Sequence, residues 1–315
     1  MRAIVVSQWG GPEVLTETEL DRPEPGMGEI LVRVHAAGVN PVDWKTRASG
    51  ALIPWGRVPA VGWDVSGTVE AVGPGVTVFQ PGDEVFGMPR FPVQAGGYAE
   101  YVTATARHFA RKPETLDHVQ AAALPLAALT AWQALTDTAG VRPGQRVLVH
   151  AAAGGVGHFA VQIAKALGAY VIGTASAAKH EMLRSLGADD LIDYRTTDFE
   201  DAVSEVDVVI DAIGGDYGAR SLKVLRPGGH LITLNGPDDV PADAEGFRTG
   251  WTLVEPDYAG LKAIAALVAE GRLRPVIDTV LPLSEAAKAH EIGEQGRTTG
   301  KIVLTVVRPS GPTEA

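Results

Sequence analysis

The chain contains no cysteine. That excludes disulfides, thiolate metal ligands and a cysteine nucleophile, and it fits a cytosolic, cytoplasmic enzyme. Long apolar runs are missing too: none reaches the roughly 20 residues that a membrane-spanning helix needs, so no membrane partner is expected. The opening MRAIVVSQWG carries one Arg and no extended apolar core, and reads as a first strand rather than a targeting segment. Positive charge is scarce, with 27 Lys and Arg against 38 Asp and Glu and a net charge of −11. This balance disfavours nucleic acid as a partner, and an anionic cofactor must be held by local groups. There is no His-Glu-x-x-His helix, no Gly-x-Ser-x-Gly elbow and no Walker-type phosphate loop. Their absence disfavours metallohydrolase, serine-hydrolase and phosphoryl-transfer chemistry. The eight histidines are scattered without a short ligand spacing, so no metal is expected.

What is present centres on Arg146 to Ala164, RVLVHAAAGGVGHFAVQIA. An apolar run follows the Pro143-Gly144 turn, passes through Gly154, Gly155, Val156 and Gly157, and continues at helical period through Phe159, Ile163 and Leu167. Strand, glycine turn and helix in that order predict a dinucleotide site. Glycines let the backbone turn tightly and approach a pyrophosphate, Ala160 allows close helix–strand packing, and the helix N-terminus offers free N–H groups.

Around this stretch the texture changes twice. Residues 1–120 show short apolar runs between Gly/Pro turns, as in a barrel or sandwich. Residues 121–275 alternate strands and helices, which requires a parallel sheet covered by helices on both faces. Residues 276–315 return to β texture, with a helix from Ser284 to Glu291 capped by Ser284. This tail is expected to rejoin the first domain, with the active site in the cleft between domains. Helix Ala219 to Leu225 is expected to stop at Pro227-Gly228-Gly229, before a strand from His230 to Leu234.

The second strand of the βαβ unit ends near Gly173-Thr174-Ala175-Ser176 without the acid that an NAD site uses to bind the adenosine 2′-OH. Ser176, Lys179 and Tyr194 follow instead. A hydroxyl, an ammonium and a phenol suit a 2′-phosphate, so NADPH is the expected cofactor.

Several motifs carry a resemblance: Gly38-Val39-Asn40-Pro41-Val42-Asp43, Gly62-Trp63-Asp64-Val65-Ser66-Gly67, Gly82-Asp83-Glu84-Val85, Gly97-Tyr98-Ala99-Glu100-Tyr101, the glycine loop, and Gly300-Lys301-Ile302-Val303-Leu304. Over nearly its whole length the chain resembles the medium-chain dehydrogenase/reductase superfamily, in its zinc-free quinone oxidoreductase-like branch. The resemblance implies an α/β fold with a Rossmann-fold cofactor domain plus a GroES-like β-barrel catalytic domain, and a homodimer paired through edge strands such as His230 to Leu234. Zinc-dependent relatives place Cys near position 40 and His-Glu near 63–64, where this chain has Asn, Trp and Asp. Hydride transfer to a quinone or an activated alkene is therefore implied, rather than alcohol oxidation on zinc. Asn40 matches a position near the nicotinamide. Lys45 stands where a Tyr is common, and Asn-Pro-Val-Asp-Trp-Lys looks like the enone and alkenal reductases. Thr130 and Asn235 resemble positions near the nicotinamide, and Val156, Ala212 and Ile213 positions touching pyrophosphate and adenosine.

Hydride delivered to the β-carbon of a conjugated carbonyl leaves negative charge on its oxygen, and a donor aimed there lowers the barrier. Lys45 and Asn40 are the candidate catalytic donors, with a salt bridge from Lys45 to Asp43 or another surface acid as the competing reading. Trp44, Trp55, Trp63, Phe91 and Trp251 are candidate pocket walls, with core packing as the alternative for each. Two further functions remain open: an enoyl reductase of one biosynthetic pathway, and a non-catalytic NADPH-binding regulatory protein.

Overall fold

The computed structural model describes residues 1–50 and 60–306. The chain divides into two compact units. The first takes Met1–Leu126, Glu255–Ala266 and the chain from Ile277 onward; the second takes Ala127–Val254 and Leu267–Val276.

In the first unit β1 (Arg2–Val6) and β2 (Leu15–Glu19) form an antiparallel ribbon. Next come β3 (Glu29–Val39), α1 (Pro41–Ser49), β4 (Asp64–Val72), β5 (Glu84–Gly87), β6 (Tyr101–Thr105), β7 (Phe109–Arg111) and α2 (His118–Ala122). Pro41 starts α1 with its φ already set for a helix, and Gly50 ends it in the left-handed conformation at φ 72°. Helix α3 (Pro125–Gln133) follows.

The second unit alternates β8 (Arg146–Val149), α4 (Gly157–Ala166), β9 (Tyr170–Thr174), α5 (His180–Ser185), β10 (Asp190–Ile192), α6 (Phe199–Ala202), β11 (Val206–Asp211), α7 (Tyr217–Leu222) and β12 (Leu225–Thr233), and ends its sheet with β13 (Arg248–Trp251). After α8 (Tyr258–Ala269), the strand β14 (Ile277–Pro282), helix α9 (Ala286–Glu294) and strand β15 (Lys301–Thr305) complete the chain.

The main sheet of the first unit runs β14-β15-β3-β4-β5-β7, with β6 also paired to β3. β15 joins the end of β3 antiparallel, Ile302 opposite Val39, while Asp64 opens β4 opposite Gly38. The ends of three strands therefore meet beside Asn40. Gly38 makes this possible: a β-carbon there would collide with the Ala122 carbonyl and lie 2.8 Å from Asp64 Cβ. Inside, Ile30, Val32, Val65, Val85 and Leu304 are fully buried, each contributing about 1.5–3 kcal/mol relative to exposure.

The second unit's sheet runs β10-β9-β8-β11-β12-β13 with every pair parallel. β8 comes first in sequence and lies in the middle, so strand order reverses between β8 and β11. This is the α/β architecture of a Rossmann domain, and the first unit is the GroES-like β domain.

Three local expectations change. The Pro-Gly-Gly segment does not stand apart as a helix stop: it lies within β12, which starts at Leu225 because Leu225 pairs with Val206 across a register shift. The His230 to Leu234 strand is not an edge: β11 and β13 flank it, and β13 is the edge on that side of the sheet. Ser284 sits inside a 3-10 turn, Leu283–Glu285, so the residue that caps α9 is Glu285. Among the described residues no helix is long and apolar enough to cross a membrane.

Candidate functional site

In the second unit the C-terminal ends of the parallel strands share one edge. Ligands of open α/β sheets bind outside that edge where strand order reverses. β8 runs on into His150 and Ala151. Ala151 adopts φ 49°, a region that non-glycine residues rarely enter, and its carbonyl accepts the Gly154 N–H at 2.8 Å. α4 begins at Gly157, whose β-carbon would collide with that same carbonyl and lie 2.8 Å from Ala152 Cα. Only glycine lets the helix start this close to the strand. The first turn of a helix leaves N–H groups without intrahelical partners, at the positive end of its dipole, and this arrangement suits a phosphate. Gly154, Gly155 and Val156 stand partly exposed in front of it.

The neighbouring strands bring more of the expected residues to this edge. Val149 pairs with Ile210 and Asp211 with Thr233, so Ala212 and Ile213 follow β11 and exposed Asn235 follows β12 at the same level. The Asp211 carboxylate accepts the Ile213 and Gly214 N–H groups at 2.9 and 3.1 Å, which pins that loop. Burial pushes its carboxyl above the usual range. Thr174 pairs with Ile192, so Ser176 and Tyr194 each stand two residues past paired strand ends. Ser176 precedes the 3-10 turn that Lys179 closes, and the Lys179 N–H donates to its carbonyl at 2.9 Å. Tyr194 is exposed, with the Arg195 guanidinium over its ring. Thr130 does not come from a strand end: it is nearly buried in α3.

His150 was not among the expected site residues. Its ring lies between Thr174 Oγ1 at 3.2 Å and Ser221 Oγ at 3.0 Å, edge-on to Phe199 and Tyr217. Burial holds it neutral, with its pKa lowered to about 3. It ties the end of β8 to β9 and α7.

In the first unit Asn40 lies between β3 and α1 and is 2% exposed. Its amide nitrogen donates to Asp64 Oδ2 at 2.8 Å, and its amide oxygen accepts a short hydrogen bond from Lys301 Nζ. Lys301 also reaches Asp64 Oδ2 at 3.3 Å and the Val39 carbonyl at 3.1 Å. The other oxygen of Asp64 accepts the Leu126 N–H at 2.6 Å, in the first turn of α3. Asp43 turns inward: its carboxylate accepts from the Asn40 and Gly62 N–H groups at 2.7 and 3.0 Å and from the Tyr98 hydroxyl at 3.0 Å. Burial pushes Asp43 up to about 7, opposed by its Asn40 hydrogen bond and reinforced by the nearby Asp64 charge. Beyond Tyr98 the chain of contacts continues through His290 to Arg47, which pairs with Glu294 at 2.5 Å.

This geometry settles the competing reading of Lys45. Asp43 is engaged in the core, while Lys45 lies on the exposed face of α1 and makes no ion pair among the described residues. The aromatic walls also resolve. Trp63 is fully buried, its indole N–H on the Val93 carbonyl at 2.8 Å and its ring edge-on to Phe91, so both are core. Trp44 packs edge-on to His290 and against Gly293. Trp251 is part-exposed on β13, and Trp55 lies outside the described residues. Among the described residues no three His, Asp or Glu side chains group as a metal site.

Comparison with known proteins agrees with this architecture. Residues 26–114 match the alcohol dehydrogenase GroES-like domain family and residues 186–304 the zinc-binding dehydrogenase family. The chain is 36% identical to 2-methylene-furan-3-one reductase of Solanum lycopersicum, over 96% of this chain and 79% of that one. The quinone oxidoreductase of Coxiella burnetii superposes with a TM-score of 0.91 at 38% identity, covering 98% of this chain and 99% of the other. Escherichia coli quinone oxidoreductase, solved in complex with NADPH, superposes with a TM-score of 0.87 at 29% identity, covering 97% and 100%. The chain thus belongs to the medium-chain dehydrogenase/reductase superfamily, as an oxidoreductase of its quinone oxidoreductase-like branch.

Proposed function

We propose that the protein is a zinc-independent, NADPH-dependent reductase that transfers hydride to a quinone or to the C=C bond of an α,β-unsaturated carbonyl. The observation that carries this reading is the buried cluster at the end of β3. A zinc-binding dehydrogenase description implies a metal, and the side chains at positions 40, 63 and 64 do not suit one. Asn40 offers an amide, Trp63 a buried indole N–H, and the Asp64 carboxylate is already paired with the Lys301 ammonium. A dication there would face that ammonium with its one anionic ligand engaged. An acceptor that needs no Lewis acid is a conjugated carbonyl, the feature shared by the quinone and furanone substrates in the relatives' names.

When bound, the reduced nicotinamide supplies the hydride. The chain must then meet the negative charge on the acceptor oxygen. Lys45, exposed and without an ion pair among the described residues, and the remaining amide hydrogen of Asn40 are the donors available for this. Ser176, Lys179 and Tyr194, with no acid following Thr174, favour a 2′-phosphate over a bare ribose. The enzyme pairs as a homodimer through β13, whose free edge presents unpaired backbone groups beside exposed Trp251 and Leu253.

The test is NADPH consumption with a panel of small enones and quinones, together with fluorescence titrations of NADPH and NADH. Turnover that falls in Lys45→Met with unchanged folding supports the reading. NADPH binding without turnover of either class replaces it with a non-catalytic nucleotide-binding role, and tighter NADH binding removes the 2′-phosphate argument.

A further inference from the structure

We infer that Lys301 is a positioning residue, which fixes the orientation of the Asn40 amide and thereby aims its second N–H, which meets no acceptor among the described residues. The inference rests on the reductase reading above, in which Asn40 contributes a donor. Lysine is almost never fully buried unless paired, yet the Lys301 side chain is 2% exposed and 237 residues away in sequence from the buried carboxylate it meets. An ammonium has three hydrogens to donate. Here three acceptors take them: the Val39 carbonyl, Asn40 Oδ1 and Asp64 Oδ2. Nothing is left for a substrate, so Lys301 acts only through its neighbours.

What it does to Asn40 follows from donor and acceptor types. A half-turn about the last torsion of an Asn exchanges its oxygen and nitrogen at little steric cost. Between Lys301 and Asp64 the two arrangements are far from equal. The ammonium only donates and the carboxylate only accepts. The observed amide sets its oxygen on Lys301 and its nitrogen on Asp64. The reversed amide would press N–H against N–H and oxygen against carboxylate, inside a site where polar mismatches are not relieved by water. One amide hydrogen is thus committed to Asp64, and the second is held in a single direction. Preorganised donors of this kind stabilise developing charge because they need no reorientation during reaction. Without Lys301 the amide oxygen loses its donor, Asp64 loses its countercharge, and the amide is free to turn over.

The experiment is steady-state NADPH-dependent reduction of methyl vinyl ketone by the full chain, with Lys301→Met, Lys301→Gln, Asn40→Ala and the Lys301→Met/Asn40→Ala pair. Lys301→Met is expected to lower kcat by about 10–100-fold, the range for losing a residue that orients a functional ligand, with KM for NADPH little changed. Lys301→Gln keeps a donor toward Asn40 and recovers part of kcat. The double variant is no slower than Asn40→Ala alone, because residues that act as a unit are not additive. If Lys301→Met does not fold, Lys301→Gln alone and combined with Asn40→Ala carries the same cycle. Wild-type kcat in Lys301→Met beside a slow Asn40→Ala, or losses that multiply in the double variant, would overturn the inference and leave the reductase reading standing. Wild-type kcat in Asn40→Ala would overturn both, since Asn40 would then contribute no donor.

Discussion

The glycine-turn edge of the second unit and the Asn40 cluster of the first are built in contrasting ways. At the sheet edge the working groups are backbone N–H groups and side chains such as Tyr194 and Asn235 that stay exposed. In the Asn40 cluster every working side chain is buried and bonded to another. An edge made of backbone tolerates most changes in side chain and fails at one glycine. A buried ionic cluster fails when any member is removed, because each loss leaves a charge or a donor without its partner.

That contrast can be broken most severely at Asp64. Asp64→Ala strands the Lys301 ammonium, the Asn40 amide and the Leu126 N–H together. It should cost about 3–5 kcal/mol of unfolding free energy, the usual range for removing one partner of a buried pair, and urea denaturation will read it. Gly157→Ala is the matching test at the edge. Its methyl group must push the start of α4 away from the Ala151 carbonyl. Overpacking of this kind costs about 1–3 kcal/mol, and NADPH affinity in a fluorescence titration should fall by more than about tenfold, or 1.4 kcal/mol.

A third comparison lies in pH dependence, where one buried group from each region has opposite sign. Asp43 has a folded pKa of about 7, above the unfolded value of about 3.9. The folded chain keeps a proton that the unfolded chain releases, so this contribution is full below about pH 4 and is lost as pH rises to about 7. His150 has a folded pKa of about 3, below the unfolded value of about 6.5. The unfolded chain takes up a proton that the folded chain refuses, so stability is lost as pH falls from about 6.5 toward 3. In denaturant midpoints measured across pH 3–8, Asp43→Asn should remove the decline toward neutrality and His150→Gln should soften the acid limb. Variants whose profiles parallel the wild type would show that these two groups do not titrate as their burial requires.

The same contrast explains what could be read from the sequence. The strand, glycine turn and helix at the sheet edge were legible because they are local: a glycine at a fixed spacing and a helix-period run after it. The β, α/β, β order was legible from turn spacing and apolar periodicity. Lys301 was visible within Gly300-Lys301-Ile302-Val303-Leu304, but its role was not, since Asp64 and Asn40 lie 237 and 261 residues away. One signal was available. A lysine that opens an apolar run with no polar face must either be buried with a partner or break the strand. Trp63 was a candidate pocket wall, with core packing the more frequent role of such a residue, and its partner, the Val93 carbonyl, is a backbone group that no side-chain pattern reveals. The start of β12 was missed because pairing with Val206 overrides the turn tendency of Pro227-Gly228-Gly229.

The position of Lys301 also bears on how the protein is made. Translation delivers β3 and Asn40 long before β15, because Lys301 follows Asn40 by 261 residues. Until then residues Ala36 to Val39 of β3 lack their antiparallel neighbour, leaving an unsatisfied strand edge open to wrong pairing. The Asp64 carboxylate likewise waits without its ammonium. The first domain therefore cannot close as β3 is synthesised; its completion waits for a segment 261 residues downstream of Asn40. Any truncation or stall before residue 301 yields a barrel without its electrostatic keystone, whatever the state of the nucleotide-binding half.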